Sequence, residues 1–140
     1  MKRIALLLIT LLAAMLTLHA QRPFDGIYRN AELDIQAELN LYDKTMAVPD
    51  AEDEKCYGYL RGRLNGVWAI MKVISLDEKS ATVRLVNDLG YEAQTVELTC
   101  NPADHVVTVR LVKDNNMKAL KDRKYVKLPK TFDLTPLLRP

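Results

Sequence analysis

Leu33-Asp34-Ile35-Gln36-Ala37-Glu38-Leu39-Asn40-Leu41 alternates apolar and polar residues without a break. Several of these residues are good helix formers, so propensity alone favours a helix. A helix would scatter the five apolar side chains around its circumference, whereas a strand places all of them on one face. Packing against a core rewards the second arrangement, so the pattern predicts a strand.

Working outward, Cys56–Leu76 contains Asn65-Gly66 between two alternating runs. That dipeptide suits a two-residue type I′ hairpin turn, in which both central residues need positive φ. The turn predicts a register in which Leu64 faces Val67, Arg63 faces Trp68, Arg61 faces Ile70 and Tyr59 faces Lys72. One face is then small and apolar, and the other carries Tyr57, Tyr59, Arg61, Arg63, Trp68 and Lys72. Further runs follow at Ala81–Asn87, Tyr91–Cys100, His105–Lys113 and Tyr125–Leu128, with short strands near Ile27–Arg29 and Thr45–Val48. Asp77-Glu78-Lys79-Ser80, Asp88-Leu89-Gly90, Asn101-Pro102-Ala103-Asp104 and Asp114-Asn115-Asn116 supply turn chemistry between them. Met117–Lys124 reads as a short helix or a basic loop, and Ala47–Lys55 as the most polar loop.

These elements predict an all-β protein: an antiparallel meander of about eight strands closing into a barrel, or alternatively a two-sheet β-sandwich. Lys2 and Arg3, the apolar run Ile4–Leu16 and the small residue Ala20 before Gln21-Arg22-Pro23 match a secretory signal peptide cleaved after Ala20. The run is too short for a stable membrane span. The expected organisation is a signal peptide at 1–20, a single all-β domain at 21–129 and an extended tail at 130–140, with no transmembrane segment in the mature chain. Localisation would be periplasmic or secreted.

Removing Met1–Ala20 takes two of the 20 basic residues and none of the 18 acidic ones, leaving a mature charge near zero. The charge is unevenly spread: three basic and nine acidic residues over Gln21–Glu54, nine basic and three acidic over Arg110–Pro140. Because chain termini often lie close together, the two halves are expected to neutralise one another. Two cysteines, Cys56 and Cys100, in an exported chain predict a disulfide, stabilising by about 3–4 kcal/mol in the chain-entropy model.

The segment Phe24-Asp25-Gly26-Ile27-Tyr28 followed by a β-meander with a central Trp68 resembles the small lipocalin-like barrels of bacterial envelopes, with Tyr28 where true lipocalins carry Trp. The resemblance implies a barrel over Phe24–Leu128 and a small amphipathic ligand. Catalytic chemistry is thinly provided for. The mature chain has one histidine, His105, and two serines, Ser75 and Ser80, with no spacing that argues for a triad. Neither a metal site nor a cofactor is expected, and Asp50, Glu52, Asp53 and Glu54 read as a solvated acidic loop. The aromatic and cationic face Tyr57, Tyr59, Arg61, Arg63, Trp68 and Lys72 is the candidate ligand- or partner-binding site. The basic stretch Lys118, Lys121, Arg123, Lys124, Lys127 and Lys130 has the footprint of a surface that meets an anion, although export argues against nucleic acid. The expected function is that of an exported, non-catalytic binding protein, for a small amphipathic ligand or, alternatively, for an envelope protein that it inhibits or assists.

Overall fold

The computed structural model describes residues 22–89 and 92–137; the signal-peptide reading at Met1–Ala20, and Gly90 and Tyr91 of one expected turn and strand, lie outside them. Twelve strands follow one another among the described residues. Eight form a closed antiparallel barrel: β1 (Asp25–Asn30), β2 (Ile35–Asn40), β5 (Gly58–Gly62), β6 (Trp68–Leu76), β7 (Ser80–Asn87), β8 (Ala93–Cys100), β9 (Val107–Val112) and β12 (Thr131–Pro136). Each barrel strand pairs with the next one along the chain, and β12 closes the ring against β1. The architecture is consistent with a lipocalin-like barrel. Two hairpins are inserted into this meander: β3 (Met46–Val48) with β4 (Ala51–Cys56), and β10 (Lys118–Lys121) with β11 (Lys124–Lys127). Among the described residues no helix is long and apolar enough to cross a membrane.

The alternation at 33–41 does what the pattern requires. Ile35, Ala37 and Leu39 point into the barrel on β2, while Asp34 and Gln36 stay exposed and Glu38 is half-buried. Val83, Leu85, Val96, Leu98, Val107, Val109 and Leu111 repeat the arrangement on β7, β8 and β9. The interior is occupied by large side chains, of which Trp68, Phe24, Ile70, Met117 and Leu134 are fully buried. Burying such aliphatic and aromatic surface is the main favourable term holding the barrel closed.

Several expectations are corrected. Ala47–Lys55 is not a loop, since it lies in the β3–β4 hairpin. Asn65-Gly66 is not a two-residue turn: β5 and β6 are joined by residues 63–67, and Trp68 pairs with Leu60 instead of Arg63. The shift is odd, so the side chains of Trp68–Met71 change face, until a bulge between Ile70 and Lys72 returns Val73 to the core side. Trp68 and Ile70 enter the core, whereas Ala69 and Met71 line the outer wall with Tyr59. Cys56 and Cys100 are free, buried and not at disulfide distance. Cys56 packs outside the wall with Val48 and Ala69, whereas Cys100 belongs to the interior cluster. The barrel wall separates them. Met117–Lys124 is neither helix nor loop, since Lys118–Lys121 is the first strand of the β10–β11 hairpin. The segment set apart as a tail supplies β12, which joins β9 to β1 and completes the barrel.

The first and last strands, β1 and β12, are neighbours, yet the charges of the two segments do not cancel. Successive strands run in opposite directions, so the connections alternate between the two ends of the barrel. The β3–β4 insertion, with Asp50, Glu52, Asp53 and Glu54, therefore leaves from the same end as Asp77, Glu78 and Asp104. The β10–β11 insertion leaves from the opposite end, beside Arg63 and the Asn30–Asp34 turn. One end of the barrel is net acidic and the other net basic, the latter carrying Arg63 and the lysines and arginine of 113–130 alongside Glu32, Asp34, Asp88, Glu92, Asp114 and Asp122.

Candidate functional site

The basic end is assembled from three connections. In the β1–β2 turn the Asn30 side chain accepts a hydrogen bond from the Leu33 N–H at 2.8 Å, and Asp34 takes a positive φ of 53°. This turn holds the Asp34 carboxylate between two guanidiniums: Arg29 Nη2 at 3.4 Å from Oδ1, and Arg63 Nε at 3.4 Å from Oδ2. All three side chains are more than half exposed. Such pairs add little stability, but they pre-orient the arginines. Beside them Ala31, Glu32, Leu33, Ala119, Leu120, Lys121 and Asp122 complete a cleft of about 520 Å³. A second cleft of about 340 Å³ adjoins it, lined by Arg29, Asp34, Gln36, Arg61, Gly62 and Leu137. Gly62 is required there: with φ at +125°, an added Cβ would lie 2.3 Å from the Asp34 carbonyl oxygen.

A buried amide network fixes the third connection. The Asn65 side-chain oxygen accepts from the Trp68 indole at 3.2 Å and from the Lys118 N–H at 2.8 Å, while its Nδ2 donates to the Asn116 carbonyl at 3.1 Å. Backbone bonds from Asn65 N to Lys118 O and from Leu120 N to Arg63 O lay β10 along the 63–65 segment. Fully buried Gln94 donates to the carbonyls of Thr95, Val112 and Asp114 and accepts from the Asn116 N–H. Asn87 donates to the Asn65 carbonyl. Polar groups satisfied in this way favour one arrangement and anchor β10 along the 63–65 segment.

The six sequence-predicted binding residues do not form one face. Arg61 and Arg63 reach the two clefts at the basic end. Tyr59 lies beneath Arg61, with the guanidinium 5.7 Å from the ring centre. Its hydroxyl donates to Glu38 Oε2 at 2.6 Å; burial, and then this bond, push the phenol above its ordinary pKa. Tyr57 sits towards the acidic end, with the Lys44 ammonium 5.9 Å from its ring centre. Lys72 is exposed on β6 opposite Arg84. Trp68 is inside the barrel and reaches the site only through Asn65. Sequence reasoning missed Arg29 and Asp34, which flank a turn it did not resolve, and Lys121, which the hairpin brings to them. His105 lies exposed in the β8–β9 connection with φ at 60°.

The larger cleft sets three cations, Arg29, Arg63 and Lys121, among three carboxylates, Glu32, Asp34 and Asp122, and Arg61 lines the adjoining one; guanidiniums so placed can pair with a carboxylate or phosphate. No protein-family model, curated protein or solved structure matches the chain.

Proposed function

We propose that this is an exported binding protein that acts without catalysis, recognising an anionic partner through the basic end of the barrel. The observation that carries the reading is the convergence of Arg29 and Arg63 on Asp34 at a cleft of about 520 Å³ that also takes in Lys121. A carboxylate or phosphate entering this cleft would compete with Asp34 for the two guanidiniums, beside Glu32 and Asp122 of the same lining. The interaction reading is preferred to an amphipathic ligand in the lumen because Trp68, Phe24, Ile70, Met117 and Leu134 occupy the interior. Export rests on the pattern of Met1–Ala20.

The test is binding of fluorescent polyglutamate and polyphosphate to the mature protein, with and without Arg29→Ala/Arg63→Ala. The double variant should weaken binding at least tenfold while its thermal unfolding changes little, since both side chains are exposed. No binding of either polyanion by the wild-type protein at low salt would overturn the reading.

A further inference from the structure

Lys118–Lys127 departs from what stability alone would select in three independent ways, of which two add positive charge and the third exposes apolar surface. Lys118 faces Lys127 and Lys121 faces Lys124 directly across the β10–β11 ladder, an arrangement in which like charges repel. Among the described residues none of these four lysines forms an ion pair. The two-residue tip is Asp122-Arg123, with φ at 49° and 67°. A turn of this type prefers glycine at its second position, yet this one carries an arginine. Tyr125 and Val126, on opposite faces of the hairpin, are 54% and 39% exposed. Positive φ kept at a non-glycine tip is strain of the kind found at functional sites.

We infer that the basic end of the barrel docks on an anionic phospholipid surface, with the β10–β11 hairpin and Arg123 leading, a proposal that rests on the anion-binding reading above. The cations lie on both faces of the hairpin and around the neighbouring rim, so no single groove would hold an extended peptide in register. Phospholipid headgroups are mobile and rearrange to meet such a distribution. Lysine suits this task, as a hydrated point charge that needs no bidentate geometry. Tyr125 has the amphipathic ring favoured at the headgroup level. The acidic β3–β4 hairpin lies at the other end of the barrel, so the field of the protein turns the basic end towards the membrane and the acidic end away from it.

The experiment is co-sedimentation of the full mature protein with vesicles of phosphatidylcholine alone or with 30% phosphatidylglycerol (about a third anionic lipid, as in a strongly charged membrane), at low and high salt. Polyglutamate and inorganic phosphate serve as soluble competitors. Each Lys or Arg near an anionic surface contributes about fivefold in partitioning. Binding should therefore require phosphatidylglycerol, fall steeply with salt, and drop about 25-fold in Lys121→Gln/Lys124→Gln. Arg123→Gly should bind about fivefold more weakly while melting no lower than wild type, which separates lost contact from lost fold. Arg84→Gln, on the barrel wall, should leave partitioning unchanged. Binding of polyglutamate without binding of the vesicles would overturn the membrane proposal and leave the anion-binding reading standing. Failure to bind either would overturn both. Vesicle binding unaffected by the hairpin variants would also overturn the proposal.

Discussion

Asn65→Ala tests the network that joins the core to the basic hairpin. The substitution removes three side-chain hydrogen bonds: those received from the Trp68 indole and the Lys118 N–H, and the one given to the Asn116 carbonyl. At about 1 kcal/mol net for each, the loss is about 3 kcal/mol. The indole belongs to a fully buried residue, so leaving its N–H without an acceptor adds about 1 kcal/mol more, for a total near 4 kcal/mol. Asn65→Asp keeps both acceptor roles and loses only the donor, and should cost about 1–2 kcal/mol. Urea unfolding followed by tryptophan emission suits the question, because Trp68 is the only tryptophan of the chain. The slope with urea should be unchanged, so that the midpoint reports stability alone. Combining Asn65→Ala with Trp68→Phe, which deletes the donor and keeps most of the ring, should give a coupling energy of about 1 kcal/mol. A loss below about 1 kcal/mol for Asn65→Ala, with the native emission maximum unmoved, would refute the assignment of Asn65 as the hairpin's mount.

Trp68→Ala should destabilise by about 3–5 kcal/mol in the same unfolding assay, since it empties a fully buried site; a near-neutral result would return Trp68 to the surface. Cys56 and Cys100 are free, and burial pushes both thiols up, so a thiol reagent should label native protein slowly and find both after unfolding. Reductant should then leave the melting temperature unchanged, and a drop would reveal a disulfide. Gly62→Ala should cost about 3 kcal/mol, through its positive φ and the clash with the Asp34 carbonyl, and a thermal melt at wild-type temperature would contradict the close approach of β5 to β2. Asp77 accepts from the Lys79 N–H, the Ser80 hydroxyl and the Ser80 N–H, which hold its carboxyl below the ordinary aspartate range. A depressed folded pKa gives stability that is present above the unfolded value and lost as pH falls through the folded one. The melting temperature should accordingly fall less between about pH 5 and pH 2 in Asp77→Asn than in wild type; parallel curves would deny the linkage.

The two arginines of the sequence-predicted site that reach the clefts, Arg61 and Arg63, were legible as cations on β5 and the connection after it. Their companions Arg29, Asp34 and Lys121 were not, because they come from a turn and a hairpin distant in the chain, and no local pattern encodes that meeting. Trp68 lies on the opposite face from the one a tight Asn65-Gly66 turn predicts, for a related reason. Asn65-Gly66 has the chemistry of a tight turn, but the Asn65 side chain gains more by bonding to Trp68 and to β10 than by shaping a two-residue loop.

Taken by itself, the sequence determined the all-β class and the run of antiparallel strands, because alternation of period two and turn residues act within a few positions of one another. It also determined the quantity of charge in each half of the chain. Only the tertiary structure decided the register of β5 against β6, the separation of Cys56 from Cys100 by the barrel wall, and the use of 131–136 as the closing strand. It alone sent the acidic and basic insertions to opposite ends of the barrel. A register is chosen by the whole core at once, since an odd slip exchanges the two faces of a strand. The end from which an insertion leaves depends on how many strands precede it in the ring, and that count is fixed only when the barrel closes.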